Sequence, residues 1–173
     1  MAKRVVVAYG SERGGTAGIA EAIGETIRER GLAVDVRPAR EVRDLSPYGA
    51  VVLGGALYVM RWHADARRFG RRHTGGLVER PVWLFSSGPL DASADEKDIP
   101  PVKGVAELAG RIGARGHVTF GGRLEPDAKG FIASSMAKKM AGDFRNFDRI
   151  RAWASEIAEE LSVPVPREAL RRE

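Results

Sequence analysis

Seven residues near the amino terminus, Gly10-Ser11-Glu12-Arg13-Gly14-Gly15-Thr16, combine three glycines with two hydroxyls. They stand between an apolar run and a segment of helical period. Successive backbone N–H groups at a helix N-terminus, together with both hydroxyls, can there converge on one anion. This is the chemistry of a phosphate cradle. The loop has neither the GxGxxG spacing of dinucleotide sites nor the GxxxxGK[ST] spacing of nucleoside triphosphate sites, which weakens both of the commoner nucleotide classes. The chain contains no cysteine. Disulfides, thiolate nucleophiles, cysteine-bound zinc and iron–sulfur clusters are therefore excluded, and any redox chemistry must come from a bound cofactor. Its three histidines, His63, His73 and His117, have no HxH or HxxxH spacing, so no metal site is expected.

A cradle of this kind needs a buried strand before it and a helix after it, and the chain supplies both. Strands are predicted at Arg4–Tyr9, Ala33–Arg37, Ala50–Gly54, Val82–Ser86 and His117–Gly121. The runs VVVAY, AVVLG and VWLFS are continuously apolar, as central strands buried on both faces must be. AVDVR alternates, which suits an edge. Ile19, Ala20, Ile23 and Ile27 form a helical stripe ending at Gly31. Phe147, Ile150, Ala154, Ile157 and Leu161 form a second, with Asn146 available as N-cap. Shorter amphipathic helices are expected at Ala64–His73 and Val105–Ala114. The alternation of strand and helix over 173 residues, 43% of them hydrophobic, predicts one α/β domain over residues 1–162 and a flexible tail over 163–173.

A doubly wound sheet binds its ligand at the carboxyl ends of its strands. Attention therefore falls on three loops: the cradle, Gly54-Gly55-Ala56-Leu57-Tyr58, and Ser86-Ser87-Gly88-Pro89-Leu90. The pattern Ser-x-x-Gly-x-Thr directly after an apolar strand resembles the FMN phosphate loop of flavodoxins. The resemblance implies a five-stranded parallel sheet in the order 2-1-3-4-5 with helices on both faces. It also implies that the hydroxyls of Ser11 and Thr16, with backbone N–H groups from Glu12, Arg13, Gly14, Gly15 and Thr16, hold the phosphate. Arg13 departs from the pattern, since such loops usually carry no charged side chain. By the same resemblance, Gly55, Ala56, Leu57 and Tyr58 on one side and Ser86, Ser87, Gly88, Pro89 and Leu90 on the other enclose the isoalloxazine ring, with Tyr58 or Trp62 stacked on it.

The stretches GGALYVMRWHADARRFGRRH, LFSSGPL and GGRLEPDAKGF are similar to the flavodoxin-domain family that includes the bacterial menaquinone-dependent protoporphyrinogen oxidase. That similarity, spanning roughly residues 3 to 161, implies an FMN oxidoreductase that takes hydride from a reduced tetrapyrrole and passes electrons to a membrane quinone. The alternative it leaves is a flavodoxin-type carrier that serves a redox protein and has no substrate of its own. Formal charge bears on the choice. The chain carries +5, with five arginines between Arg61 and His73 and six basic residues between Lys129 and Arg151. Shuttle flavodoxins are generally acidic, whereas a basic surface suits an anionic substrate or an acidic bilayer. The segment from Leu124 to Asn146, with Phe131, Ile132, Met136, Met140 and Phe144 among lysines and arginines, is expected to form a basic amphipathic helix that touches a membrane or roofs the flavin. No nucleic-acid motif is present. With no long apolar run and no leader, the protein is expected in the cytoplasm, peripheral to the membrane at most.

Overall fold

The computed structural model describes residues 4–11, 14–124 and 142–163. In chain order the elements are β1 (Arg4–Gly10), α1 (Gly15–Glu29), β2 (Val34–Pro38), β3 (Tyr48–Tyr58), β4 (Arg61–Trp62), α2 (Ala64–Arg72), α3 (Thr74–Val78), β5 (Val82–Ser87), α4 (Ser93–Glu96), α5 (Lys103–Ile112), β6 (Gly116–Phe120), β7 (Arg123–Leu124), β8 (Gly142–Asp143) and α6 (Phe147–Ser162). Five strands pair in parallel in the order β2-β1-β3-β5-β6. Without the two-residue β4, this is the expected order, 2-1-3-4-5. The fold is flavodoxin-like α/β.

Burial explains which strand sits where. Val5, Val6, Val7 and Ala8 of the central β1 are all 1% exposed or less, whereas β2 alternates and takes one edge. Successive residues of a strand face opposite sides. Val5, Val7, Val52 and Phe85 therefore pack under α1 and α6, while Val6, Ala8, Val51, Leu53 and Leu84 pack under α2, α3 and α5. Ile19, Ile23 and Ile27 of α1 are fully buried on the first face. Truncating any one of them to Ala would cost about 2–5 kcal/mol. Gly24 lets α1 lie directly on Val36 of β2, where a Cβ would collide. Gly31, at φ +93°, turns the chain out of α1, and Asn146 Oδ1 accepts from the Arg149 amide at 3.1 Å to start α6.

The structure departs from the sequence expectation in several places. The third strand starts two residues before the expected 50–54 and runs four beyond it, where its end folds back as an antiparallel hairpin in which Leu57 pairs with Trp62 and Tyr58 with Arg61. The helix expected over 64–73 runs over Ala64–Arg72 with His73 at its end, the short α3 that follows it was not anticipated, and the helix expected over 105–114 lies two residues earlier, at Lys103–Ile112. The ribbon β7–β8, in which Arg123 pairs with Asp143, was not anticipated. Two-residue strands are set by their turns and leave no periodic signal. Most of the expected basic helix (125–141) and the tail from 164 onward lie outside the described residues.

Candidate functional site

The cradle begins where β1 ends. Gly10 is pressed under the start of α2, since a Cβ there would sit 2.9 Å from the Ala66 nitrogen and 3.0 Å from His63 Nδ1. Ser11 Oγ accepts from the Gly14 amide at 3.2 Å, and Gly14, at φ +80°, is the N-cap of α1. The first intrahelical bond runs from the Gly18 amide to the Gly14 carbonyl at 3.1 Å. The amides of Gly15, Thr16 and Ala17 consequently have no acceptor within the helix. No acidic side chain occupies the first turn, where the positive end of the helix dipole favours an anion. Thr16 is 2% exposed, and among the described residues its hydroxyl has no hydrogen-bond partner, so the oxygen keeps part of the little exposure the residue has. Amides and a hydroxyl left without acceptors at one helix terminus match a phosphate monoester. Glu12 and Arg13 lie outside the described residues.

The two ring loops meet across the ends of β3 and β5. Gly55 pairs with Ser86 and Ala56 with Ser87. Gly54 accommodates the Phe85 ring, and Gly88 lies against Leu57, where a Cβ would come within 2.9 Å of the leucine Cβ. The Ala56 carbonyl accepts from the His63 amide at 2.8 Å, and the Pro89 carbonyl from the Gly122 amide at 2.9 Å. Ser87 is buried, while Gly88, Pro89 and Leu90 are partly exposed at the rim.

The Ser86 hydroxyl is engaged inside the protein. Trp62 Nε1 donates to it at 2.9 Å, and His117 Nε2 lies 2.9 Å on its other side. With the oxygen accepting from Trp62, the hydroxyl proton can go to a neutral His117. Burial lowers the His117 pKa to about 4, which keeps the ring neutral at physiological pH.

Trp62 is 3% exposed and packs on Gly55, so the expectation that it stacks on the flavin fails: the ring is core. Tyr58, 42% exposed at the end of β3, remains at the rim. Beyond it Val59 and Met60 adopt φ +46° and +63° and form the two-residue hairpin loop. Such loops favour Asn-Gly, and a β-branched residue at positive φ is strained. Both side chains are nevertheless apolar and exposed, at 94% and 76%. His63 caps α2 by accepting from the Asp65 amide at 3.1 Å. His73 stacks on Phe69 at 4.6 Å, with Nε2 3.2 Å from the Val42 carbonyl. Both have structural roles.

Two residues beside the cradle were not among the predicted site residues. Arg145 donates to the Gly15 carbonyl at 3.3 Å, and its guanidinium covers Gly18. Arg123 lies on Gly15, with its Cβ 3.4 Å from where a glycine Cβ would be. The Arg145 guanidinium is gripped by Asp143 at 2.7 and 2.9 Å, and this bonding holds the Asp143 carboxyl below the usual carboxylate range. Proximity across 130 residues has no local sequence signal.

Among the described residues, no group of three or more His, Asp or Glu side chains could hold a metal ion, and no helix is long and apolar enough to cross a membrane. No curated protein matches the chain in sequence. Solved structures do match in fold. An archaeal flavodoxin superposes with a TM-score of 0.61 at 16% identity, covering 92% of this chain and 99% of that one. Oxidised flavodoxin 1 from Bacillus cereus gives 0.63 at 17% identity, covering 92% and 100%. The rubredoxin oxygen:oxidoreductase of Desulfovibrio gigas gives 0.61 at 15% identity, covering 91% of this chain but 36% of that one. A family model described as flavodoxin domain matches residues 6–148. The chain therefore belongs to the flavodoxin-domain family, and it is a redox flavoprotein whose cofactor is FMN.

Proposed function

We propose that this protein is an FMN-dependent oxidoreductase with a substrate of its own, similar to protoporphyrinogen oxidase, that moves electrons from a reduced tetrapyrrole to a quinone. When bound, FMN supplies the redox chemistry, and the protein supplies binding, orientation and electrostatics. Ser11, Thr16 and the amides from Glu12 to Thr16 hold the phosphate. Gly55, Ala56, Leu57 and Tyr58 take one side of the ring, and the backbone of Ser86, Ser87, Gly88, Pro89 and Leu90 takes the other. Tyr58 and the apolar hairpin tip exclude water from the ring. Each turnover removes two electrons and two protons from the tetrapyrrole and delivers them to the quinone, giving the quinol.

The observation that carries this reading is the sign of the charge beside the ring loops. Arg61, Arg67 and Arg71 line the hairpin and α2 with no ion pair to a carboxylate among the described residues. They suit a substrate bearing carboxylates, and a quinone dissolved in an anionic bilayer. The second reading, an electron-transfer protein without its own substrate, draws support from flavodoxins that align over nearly their whole length.

The test is anaerobic addition of protoporphyrinogen to the FMN-loaded protein, with and without a menaquinone analogue. Bleaching of the visible flavin bands by the porphyrinogen and their return with quinone is the expected result. Flavin that ignores the porphyrinogen but is reduced by a flavodoxin reductase would establish the carrier instead.

A further inference from the structure

A cavity of about 450 Å³ opens between the β3–β4 hairpin, α2 and α5. Five cations surround it, Arg61, Arg67, Arg71, Lys103 and Arg111, against the single carboxylate of Glu107. Helical spacing concentrates them. Arg67 and Arg71 stand one turn apart on α2, and Lys103, Glu107 and Arg111 form a row down α5.

Nearby charges show what compensation looks like. Arg40 and Arg68 both reach Asp65, at 3.6 and 3.8 Å. Around the cavity none of the five cations has a carboxylate within ion-pair distance among the described residues, and Arg67 Nε is turned onto the Trp62 carbonyl at 3.0 Å. Partial desolvation, reinforced by the neighbouring Arg61, Arg71 and Arg68, depresses the Arg67 pKa. The cluster is under mutual repulsion that a bound anion would relieve.

The floor is apolar. Trp62 and Leu108 line the cavity and are 3% and 4% exposed. Gly70 lets α2 approach α5, since a Cβ there would meet Leu108 at 2.8 Å, and Gly104 leaves the mouth clear, with nothing within 4 Å of its Cβ position. A solvated helix face would offer charge without such a floor. The volume lies in the range of small-molecule sites. No cradle residue lines the cavity. Arg61 and Trp62 of the hairpin line the cavity, and their strand partners Tyr58 and Leu57 belong to the ring loop.

We infer that this cavity binds a small organic anion carrying at least two acidic groups on an apolar body, at a site separate from the FMN phosphate cradle. The unpaired cations take the acidic groups, and the Trp62–Leu108 floor takes the apolar part. The inference does not depend on whether the protein is an enzyme or a carrier.

Calorimetric titration of the FMN-loaded protein at low salt tests it, with 2,6-naphthalenedicarboxylate, 2-naphthoate and neutral 2-acetylnaphthalene as probes. Affinity should rise with each carboxylate. The dicarboxylate should lose tenfold or more in the Arg71→Gln/Arg111→Gln variant, whose two changes are at exposed helix positions. The control variant Arg40→Gln/Arg43→Gln, outside the cavity, should bind like the unmodified protein. Equal affinity for all three probes, no binding, or an undiminished dicarboxylate affinity in the cavity variant would each overturn the inference. Inorganic phosphate binding as tightly as the dicarboxylate would overturn the role given to the floor.

Discussion

The cradle and the ring loops draw on the same residue types, glycine and serine or threonine, yet one hydroxyl from each, Thr16 and Ser86, is disposed of in opposite ways. Thr16 is 2% exposed, with a hydroxyl that bonds nothing among the described residues, at the end of a helix whose first turn carries no acid. Ser86 is just as buried, but its hydroxyl ties Trp62 to His117 across the strand ends. A polar group that the fold leaves without a partner is available to a ligand, whereas one satisfied internally holds the site in shape. Residue type alone cannot tell the two cases apart.

The contrast predicts that substitutions in the two regions separate affinity from stability. The largest effect is expected at the cradle. Ser11→Ala with Thr16→Val should weaken FMN binding by about 100-fold or more, since each bond to a charged group contributes about 1.5–3 kcal/mol. Thr16→Val removes no internal bond and keeps the side-chain volume, so it should leave the urea midpoint of the apoprotein almost unchanged. A large loss of apoprotein stability in that single variant would break the distinction.

The ring region should answer to pH. His117 titrates near 4 in the folded protein, below its unfolded value of 6.5. As pH falls through this window the unfolded chain takes up the proton first. The associated stability is complete above about pH 6.5 and lost progressively toward pH 4. The loss amounts to about 3 kcal/mol at most. Urea midpoints at pH 7 and pH 5 should therefore converge in His117→Gln relative to the unmodified protein. A difference between the two midpoints as large in the variant as in the unmodified protein would remove His117 from the account.

Ser86→Ala should cost about 2 kcal/mol of stability, because it leaves the Trp62 N–H and a His117 nitrogen without partners, while FMN affinity moves by less than threefold. A loss of affinity as large as that of the cradle variants would put the Ser86 hydroxyl on the ligand after all. The smallest effect belongs to the hairpin tip. Val59→Asn with Met60→Gly gives the loop residues suited to two positive φ values and should stabilise the protein by about 1 kcal/mol. If the apolar tip shields the ring, the same variant should bind FMN less tightly; tighter binding would contradict that role.

What could be read in the sequence follows from how local each feature is. The cradle is contiguous, and β1 and α1 announce themselves by apolar runs and a four-residue stripe, so loop and flanking elements were legible together. The strand order came from resemblance and not from periodicity. The β3–β4 hairpin was not legible, because Val59-Met60 lacks the Asn-Gly signature of its turn. Trp62 looked like a stacking aromatic until the hairpin folded it onto Gly55. Arg145 reaches Gly15 from just past the β7–β8 ribbon, which lies beside the cradle, a contact set by tertiary packing alone. The cavity cations were visible as a basic stretch from Arg61 to His73, but their lack of carboxylate partners, and the contribution of α5, exist only in three dimensions.

The central claim is that the cradle holds FMN by its phosphate, and riboflavin, which has the same ring and no phosphate, tests it most directly. Titrating the apoprotein with each flavin and following fluorescence quenching should give an affinity for FMN at least ~100-fold higher, a gap of about 3 kcal/mol. Ser11→Ala with Thr16→Val should narrow it. Equal affinities for FMN and riboflavin would contradict the claim and move the binding energy to the ring loops.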